Sequence, residues 1–182
     1  MKTLKFLTVA LVASSLFIGC SKDDNPQPVN EEELITTMTV TLQPEGGGTD
    51  LILEFRDLDG DGPEEPEIQN GILDEGVTYS GSIVLLNEAV EEVENITEEV
   101  EMENLEHQFF YTIGSGLDVT TSGENEDDEG NILGTTFTLT AGTVSSGELT
   151  FTLVHEPTKP NNGLESAGGE TDISVTFDVS VE

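Results

Sequence analysis

Asp172-Ile173-Ser174-Val175-Thr176-Phe177-Asp178-Val179-Ser180-Val181 alternates polar and apolar residues without a break. A period of two is the pleat of an extended strand, with one face for a core and one for water. The pattern recurs upstream. Gly147 to Glu156 points Leu149, Phe151 and Leu153 one way and Thr150 and Thr152 the other. Leu133 to Thr140 groups Leu133, Phe137 and Leu139 opposite threonines, and Val77 to Leu86 groups Val77, Tyr79, Ile83 and Leu85. Leu51, Leu53 and Phe55 oppose Ile52, Glu54 and Arg56. Leu34, Met38, Val40 and Leu42 open the series, and Gln108 to Ile113 adds a further strand. Threonine suits such half-exposed pleats.

Glycine- and proline-rich breaks separate these runs at Pro44 to Gly48, Gly60 to Pro66, Gly114 to Gly116, Gly123 to Gly130, Ala141 to Gly147 and Pro157 to Gly169. Seven or eight short strands so spaced predict an all-β fold. The expected form is a two-sheet antiparallel β-sandwich of immunoglobulin-like architecture, with one short acidic helix. No Cys–Trp–Cys pattern is present, so immunoglobulin ancestry is not implied. The helix is expected where the period changes. Ala89, Val93, Ile96 and Val100 recur at helical spacing among glutamates, and Asn95 with Glu98 forms a capping pattern for a helix running to about Glu106.

The first residues read differently. Lys2 and Lys5 precede an apolar run from Phe6 to Ile18, the make-up of a secretory signal and too short to span a bilayer. Leu16-Phe17-Ile18-Gly19-Cys20 resembles the lipobox of bacterial lipoproteins, with Phe17 where leucine is usual. That resemblance implies cleavage before Cys20 and acylation of its sulfur. Cys20 is the sole cysteine, so no intramolecular disulfide competes for it. Two or three acyl chains, at about 0.8 kcal/mol per buried CH₂, make a lasting anchor. Ser21, Lys22, Asp23 and Asp24 resemble the acidic export signal of surface lipoproteins of Bacteroidota, with a plain solvated tether as the alternative. Pro26, Pro28 and Glu31-Glu32-Glu33 continue as a charged linker. The expected organisation is therefore signal peptide 1–19, lipidated N-terminus and tether 20–33, and one sandwich domain 34–182.

The net charge is -33, and loss of Lys2 and Lys5 with the signal makes it two units more negative. Such a surface repels nucleic acid and anionic head groups, which excludes nucleic-acid binding, and it attracts cations. Divalent metal is thus the first partner to seek. Asp57-Leu58-Asp59-Gly60-Asp61-Gly62 resembles the first half of D-x-D-x-D-G calcium loops, in which alternating carboxylates converge and glycine permits the turn. The family's bidentate glutamate at position twelve is here Ile68, which excludes a full EF-hand, with Glu64, Glu65 and Glu67 just before it. The candidate calcium ligands are Asp57, Asp59, Asp61, Glu64, Glu65 and Glu67. The alternative is an ordinary acidic turn. Asn125 to Asn131 is a second acidic loop with poorer ligand spacing, read as a hairpin tip.

His107 and His155 are the only histidines. His155 is in phase with Leu153, and His107 with Phe109 and Tyr111, so both are expected at the edge of the core. Should they meet, with Glu156 adjacent, zinc is conceivable, although no third ligand has supporting spacing; structural histidines are the alternative. No G-x-S-x-G elbow or second cysteine points to catalysis. Tryptophan is absent and both tyrosines are expected inward, so no aromatic platform for sugars is expected.

Glu31 to Thr37, Arg56 to Gly62, Glu106 to Phe110 and Ala167 to Ile173 together resemble small surface lipoproteins of marine flavobacteria. Members sometimes carry the label "type 1 periplasmic binding fold". That label implies a two-lobed α/β receptor of roughly twice this length, alternating strands with helices, and the residues show neither feature. The reading is a non-enzymatic, monomeric lipoprotein of the outer membrane. It is expected at the cell surface, with the periplasmic face as the alternative, as a structural or interaction module with calcium as its one candidate cofactor. A ligand-capturing lipoprotein, taking a solute or glycan for an uptake system, is the rival.

Overall fold

The computed structural model describes residues 34–182 apart from Asp61. The signal peptide, Cys20 and the Ser21 to Asp24 segment lie outside the described residues. Among the latter, eleven strands and two helices follow in the order β1 (Thr37–Pro44), β2 (Leu51–Arg56), β3 (Glu67–Gln69), β4 (Gly71–Leu73), β5 (Thr78–Asn87), β6 (Glu94–Asn95), α1 (Ile96–Met102), β7 (His107–Ile113), β8 (Val119–Ser122), β9 (Thr136–Ala141), β10 (Ser145–His155), α2 (Leu164–Ala167) and β11 (Glu170–Val181). One sheet runs β3-β2-β1-β5-β9-β8, with β6 also paired to β5; the other runs β4-β11-β10-β7. The chain is an all-β, two-sheet sandwich. Pairing is antiparallel except where β4 lies parallel to β11, with Leu73 beside Val181.

The inner faces match the alternation. Val175, Phe177, Val179 and Val181 of β11 are buried, as are Leu149, Phe151 and Leu153 of β10. Opposite them stand Met38, Val40 and Leu42 of β1, Tyr79, Ile83 and Leu85 of β5, and Phe137 and Leu139 of β9. Aromatic rings join the layers, because Phe137 of one sheet meets Tyr111 of the other at 4.7 Å between centroids and Phe151 at 5.8 Å. On the outer face Thr150 pairs with Thr176 at 2.8 Å and Thr152 with Ser174 at 2.9 Å. A buried Phe or Leu contributes about 1.5–3 kcal/mol and a cross-strand threonine pair about 0.2–1, so the apolar face sets the register.

Several expectations need correction. The helix ends at Met102, short of Glu106, and begins after Asn95; Val93 is exposed and precedes it. Ile96 and Val100, one turn apart, supply its buried stripe. Glu98 and Glu99 lie in its first turn, where acidic side chains complement the helix dipole. The Asn95 side chain makes no backbone cap; its Nδ2 donates instead to Glu98 Oε1 at 3.0 Å. The Asn104 Nδ2, bonded to the Glu101 carbonyl, closes the other end. A second helix, α2, lies within the segment expected as a turn. Its Ala167 packs with Phe110 and Val154 into a small apolar cluster outside the main core. The short strands β3, β4, β6 and β8 carry too few residues to show a period.

Asp172 is also re-aimed. Its alternation places it on the wet face, yet its side chain is only 7% exposed. Leu153 pairs with Ile173 while Val154 pairs with Thr171, so Asp172 is the extra residue of a β-bulge. A bulge breaks the two-residue period and turns one side chain.

Candidate functional site

The predicted calcium loop connects β2 to β3. Asp57, Asp59, Glu64, Glu65 and Glu67 line one pit of about 90 Å³, with Arg56 beside them. Asp61 lies outside the described residues. Two of the carboxylates already serve the turn: Asp57 Oδ1 accepts the Gly60 N–H at 2.9 Å and Asp59 Oδ2 accepts the Glu64 N–H at 3.2 Å. Gly62 is required there, since a Cβ would lie 2.0 Å from Asp59 Oδ2. Arg56 does not neutralise the pit alone. Its Nε donates to Glu88 Oε2 at 2.7 Å, and this bond, with one from Thr37, holds the Glu88 carboxyl below the usual range.

The second acidic loop is not a bare hairpin tip. Asp127 is buried, with Oδ1 accepting the N–H groups of Glu129 at 2.9 Å and Asn131 at 2.8 Å. Lys159 reaches it from the connection after β10 and donates to Asp127 Oδ2 at 3.0 Å, to the Asn104 carbonyl at 2.8 Å and to the His107 carbonyl at 2.5 Å. Burial pushes the Asp127 carboxyl up. The Asn131 N–H, the Lys159 ammonium and the Glu129 N–H outweigh that and hold it below the usual carboxylate range. Among the described residues the one lysine is thus buried with its aspartate and the one arginine, 37% exposed at its side chain, is paired with Glu88, so the unpaired outward charge is anionic.

The two histidines meet. His107 and His155 are register partners of β7 and β10, and their rings stack at 4.7 Å with an interplanar angle of 13°. Both residues are buried. His107 Nδ1 lies 3.1 Å from the Glu103 carbonyl, which can only accept, so that nitrogen carries the proton. Burial pushes the His107 imidazole down, against the opposing effect of this bond. Its Nε2 stands 3.9 Å from Asp172 Oδ2.

The second histidine, His155, is 9% exposed at its side chain. Its Nε2 is 3.7 Å from Glu106 Oε2. Glu106, His155 and Glu156 bring one ligand atom each within 4.8 Å of one another, and no other trio of such side chains does so among the described residues. The backbone aligns them: the Glu156 N–H donates to the Glu106 carbonyl at 2.6 Å, extending the β7–β10 ladder by one step. Glu156 has a left-handed φ of 50°, uncommon for a residue with a side chain and a cost of about 1–3 kcal/mol. Gly169 lets β11 approach this corner, since a Cβ there would lie 2.2 Å from the His155 carbonyl oxygen. Glu156 was visible as a neighbour of His155 in the chain. Glu106 was missed because its nearness comes from strand pairing, the only signal being the adjacent His107.

An open groove of about 830 Å³ runs beside β4 and β11, lined by Leu51, Asn70, Ile72, Glu148, Asp178 and Val179 among others. Compared with protein-family models, with curated proteins and with solved structures, the chain gives no match in any of the three.

Proposed function

We propose that this chain is a lipid-anchored lipoprotein of the outer membrane, displayed at the cell surface as a non-enzymatic structural or interaction module. The carrying observation is Leu16-Phe17-Ile18-Gly19-Cys20 after a basic start, with Asp23 and Asp24 following the cysteine. The fold supports it. Several of its inward polar groups hold structure: Lys159 with Asp127, Thr36 with the Leu86 carbonyl, Tyr79 with the Asp74 N–H and Tyr111 with the Gly134 carbonyl. An anionic surface whose described cations are each paired with a carboxylate favours cationic partners and repels nucleic acid. Calcium at millimolar concentration fits the Asp57 pit as a stabiliser, because five carboxylates border it. Labelled palmitate should enter the wild-type chain and not Cys20→Ala, and protease added to intact cells should remove the sandwich. Equal labelling of both chains would sink the anchor assignment; full protection from protease would place the domain on the periplasmic face.

The groove beside β4 favours a second reading, capture of a solute or glycan for an uptake system. Its apolar walls at Leu51, Ile72 and Val179 sit next to Asn70, Glu148 and Asp178, a mixture suited to an amphipathic ligand. Affinity electrophoresis through soluble polysaccharides checks it. Retardation that Ile72→Asp abolishes would establish this reading over the first.

A further inference from the structure

We infer that Glu106, His155 and Glu156 form a binding site for a divalent transition metal of the zinc class. The inference is separate from the anchor and from the Asp57 pit.

Donor chemistry is the first argument. The trio offers one imidazole nitrogen and two carboxylates. Zinc accepts both histidine nitrogen and glutamate oxygen, and its catalytic sites combine three protein ligands with water in the fourth position. Calcium prefers oxygen alone, so the nitrogen selects against it. The carboxylates of the Asp57 pit offer oxygen alone, whereas the His155 corner adds a nitrogen to its two carboxylates, and the two sites should sort metals by type.

Geometry is the second. In a tetrahedral centre with bonds of about 2.0–2.2 Å, ligand atoms lie roughly 3.3–3.6 Å apart. His155 Nε2 and Glu106 Oε2 are already 3.7 Å apart, and all three ligand atoms lie within 4.8 Å. Closing the site asks for about an ångström of movement. Glu106 can supply it, because its side chain is 58% exposed while its backbone is fixed by the Glu156 N–H.

Preorganisation is the third. The costly part of building a metal site is fixing a ligand ring, and His155 is fixed before any metal arrives. It is buried, paired in register with His107, and stacked flat on that ring. His107 is a positioning residue, oriented through Nδ1 by the Glu103 carbonyl. The net negative charge of the chain raises the local cation concentration further.

The test is isothermal titration of zinc chloride into the full chain in detergent, carrying Cys20→Ser so that no thiol competes. One equivalent should bind. Glu106→Gln with Glu156→Gln should lower affinity at least tenfold, while Asp57→Asn with Asp59→Asn should leave it unchanged. Because both glutamates are exposed, the fold should survive, which far-UV dichroism checks. Cobalt chloride should give visible d–d bands of a four- or five-coordinate site, lost in the double glutamine variant. Zinc binding that the Glu106 and Glu156 changes do not weaken would overturn the assignment, as would no binding by the parent chain. Neither result bears on palmitate labelling, so the anchor stands or falls separately.

Discussion

The Lys159 ammonium sits 3.0 Å from Asp127 Oδ2 with 6% of the lysine side chain and none of the aspartate side chain exposed. This pair joins three stretches far apart in sequence: the loop before β9, the turn between α1 and β7, and the connection after β10. Removing one member strands a charge away from water, which costs about 3–5 kcal/mol. Lys159→Met should therefore lower stability by that amount in urea unfolding. Lys159→Met with Asp127→Leu should recover most of the loss, since neither charge is then buried. A single variant as stable as the parent would show that the pair contributes nothing net.

The same pair predicts an acid dependence. Asp127 is held below its ordinary value in the fold and titrates near 3.9 when unfolded. The unfolded chain therefore takes up the proton first as pH falls. The stability contributed is complete above about pH 4 and is lost as pH drops through the lower folded value. The stability gap between the parent and Lys159→Met/Asp127→Leu should shift against the parent below about pH 4 and stay constant from about pH 5 to 7. Measuring this difference cancels the titration of the other carboxylates. A gap that changes instead near neutral pH would contradict the assignment.

Gly81 of β5 lies directly opposite Phe137 of β9, and its missing side chain makes room for the ring. A Cβ would sit 2.5 Å from Phe137 Cζ. Gly81→Ala should cost about 1–3 kcal/mol through overpacking, despite the better strand propensity of alanine. Phe137→Leu placed alongside should return part of it. Chemical denaturation of the three variants decides the matter, and an unchanged midpoint for Gly81→Ala would mean that the ring moves freely aside.

Calcium at the Asp57 pit should raise the melting temperature. At ten times a millimolar dissociation constant, binding contributes about 1.4 kcal/mol, a shift of a few degrees for a domain of this size. Asp57→Asn/Asp59→Asn should melt normally in chelator and lose the calcium response, because asparagine oxygens can still accept the Gly60 and Glu64 N–H groups. A calcium response that persists in this variant would move the site elsewhere.

Reading the chain alone carried the fold class and the candidate anchor, because both depend on local order. Strand alternation from Asp172 to Val181 follows from the pleat, and the apolar run before Cys20 needs no partner. The inner faces of β1, β5, β9, β10 and β11 were legible in the same way. Tertiary structure decided what depends on pairing across the chain. The bulge that turns Asp172 inward breaks the period on which the reading rests. Lys159 finds Asp127 across 32 positions of sequence. Glu106 reaches His155 only because β7 and β10 pair in one register, and shifting a strand by a single residue would send those side chains to opposite faces. Composition could say that this surface draws cations. Only the register of two strands could say where an imidazole joins the carboxylates.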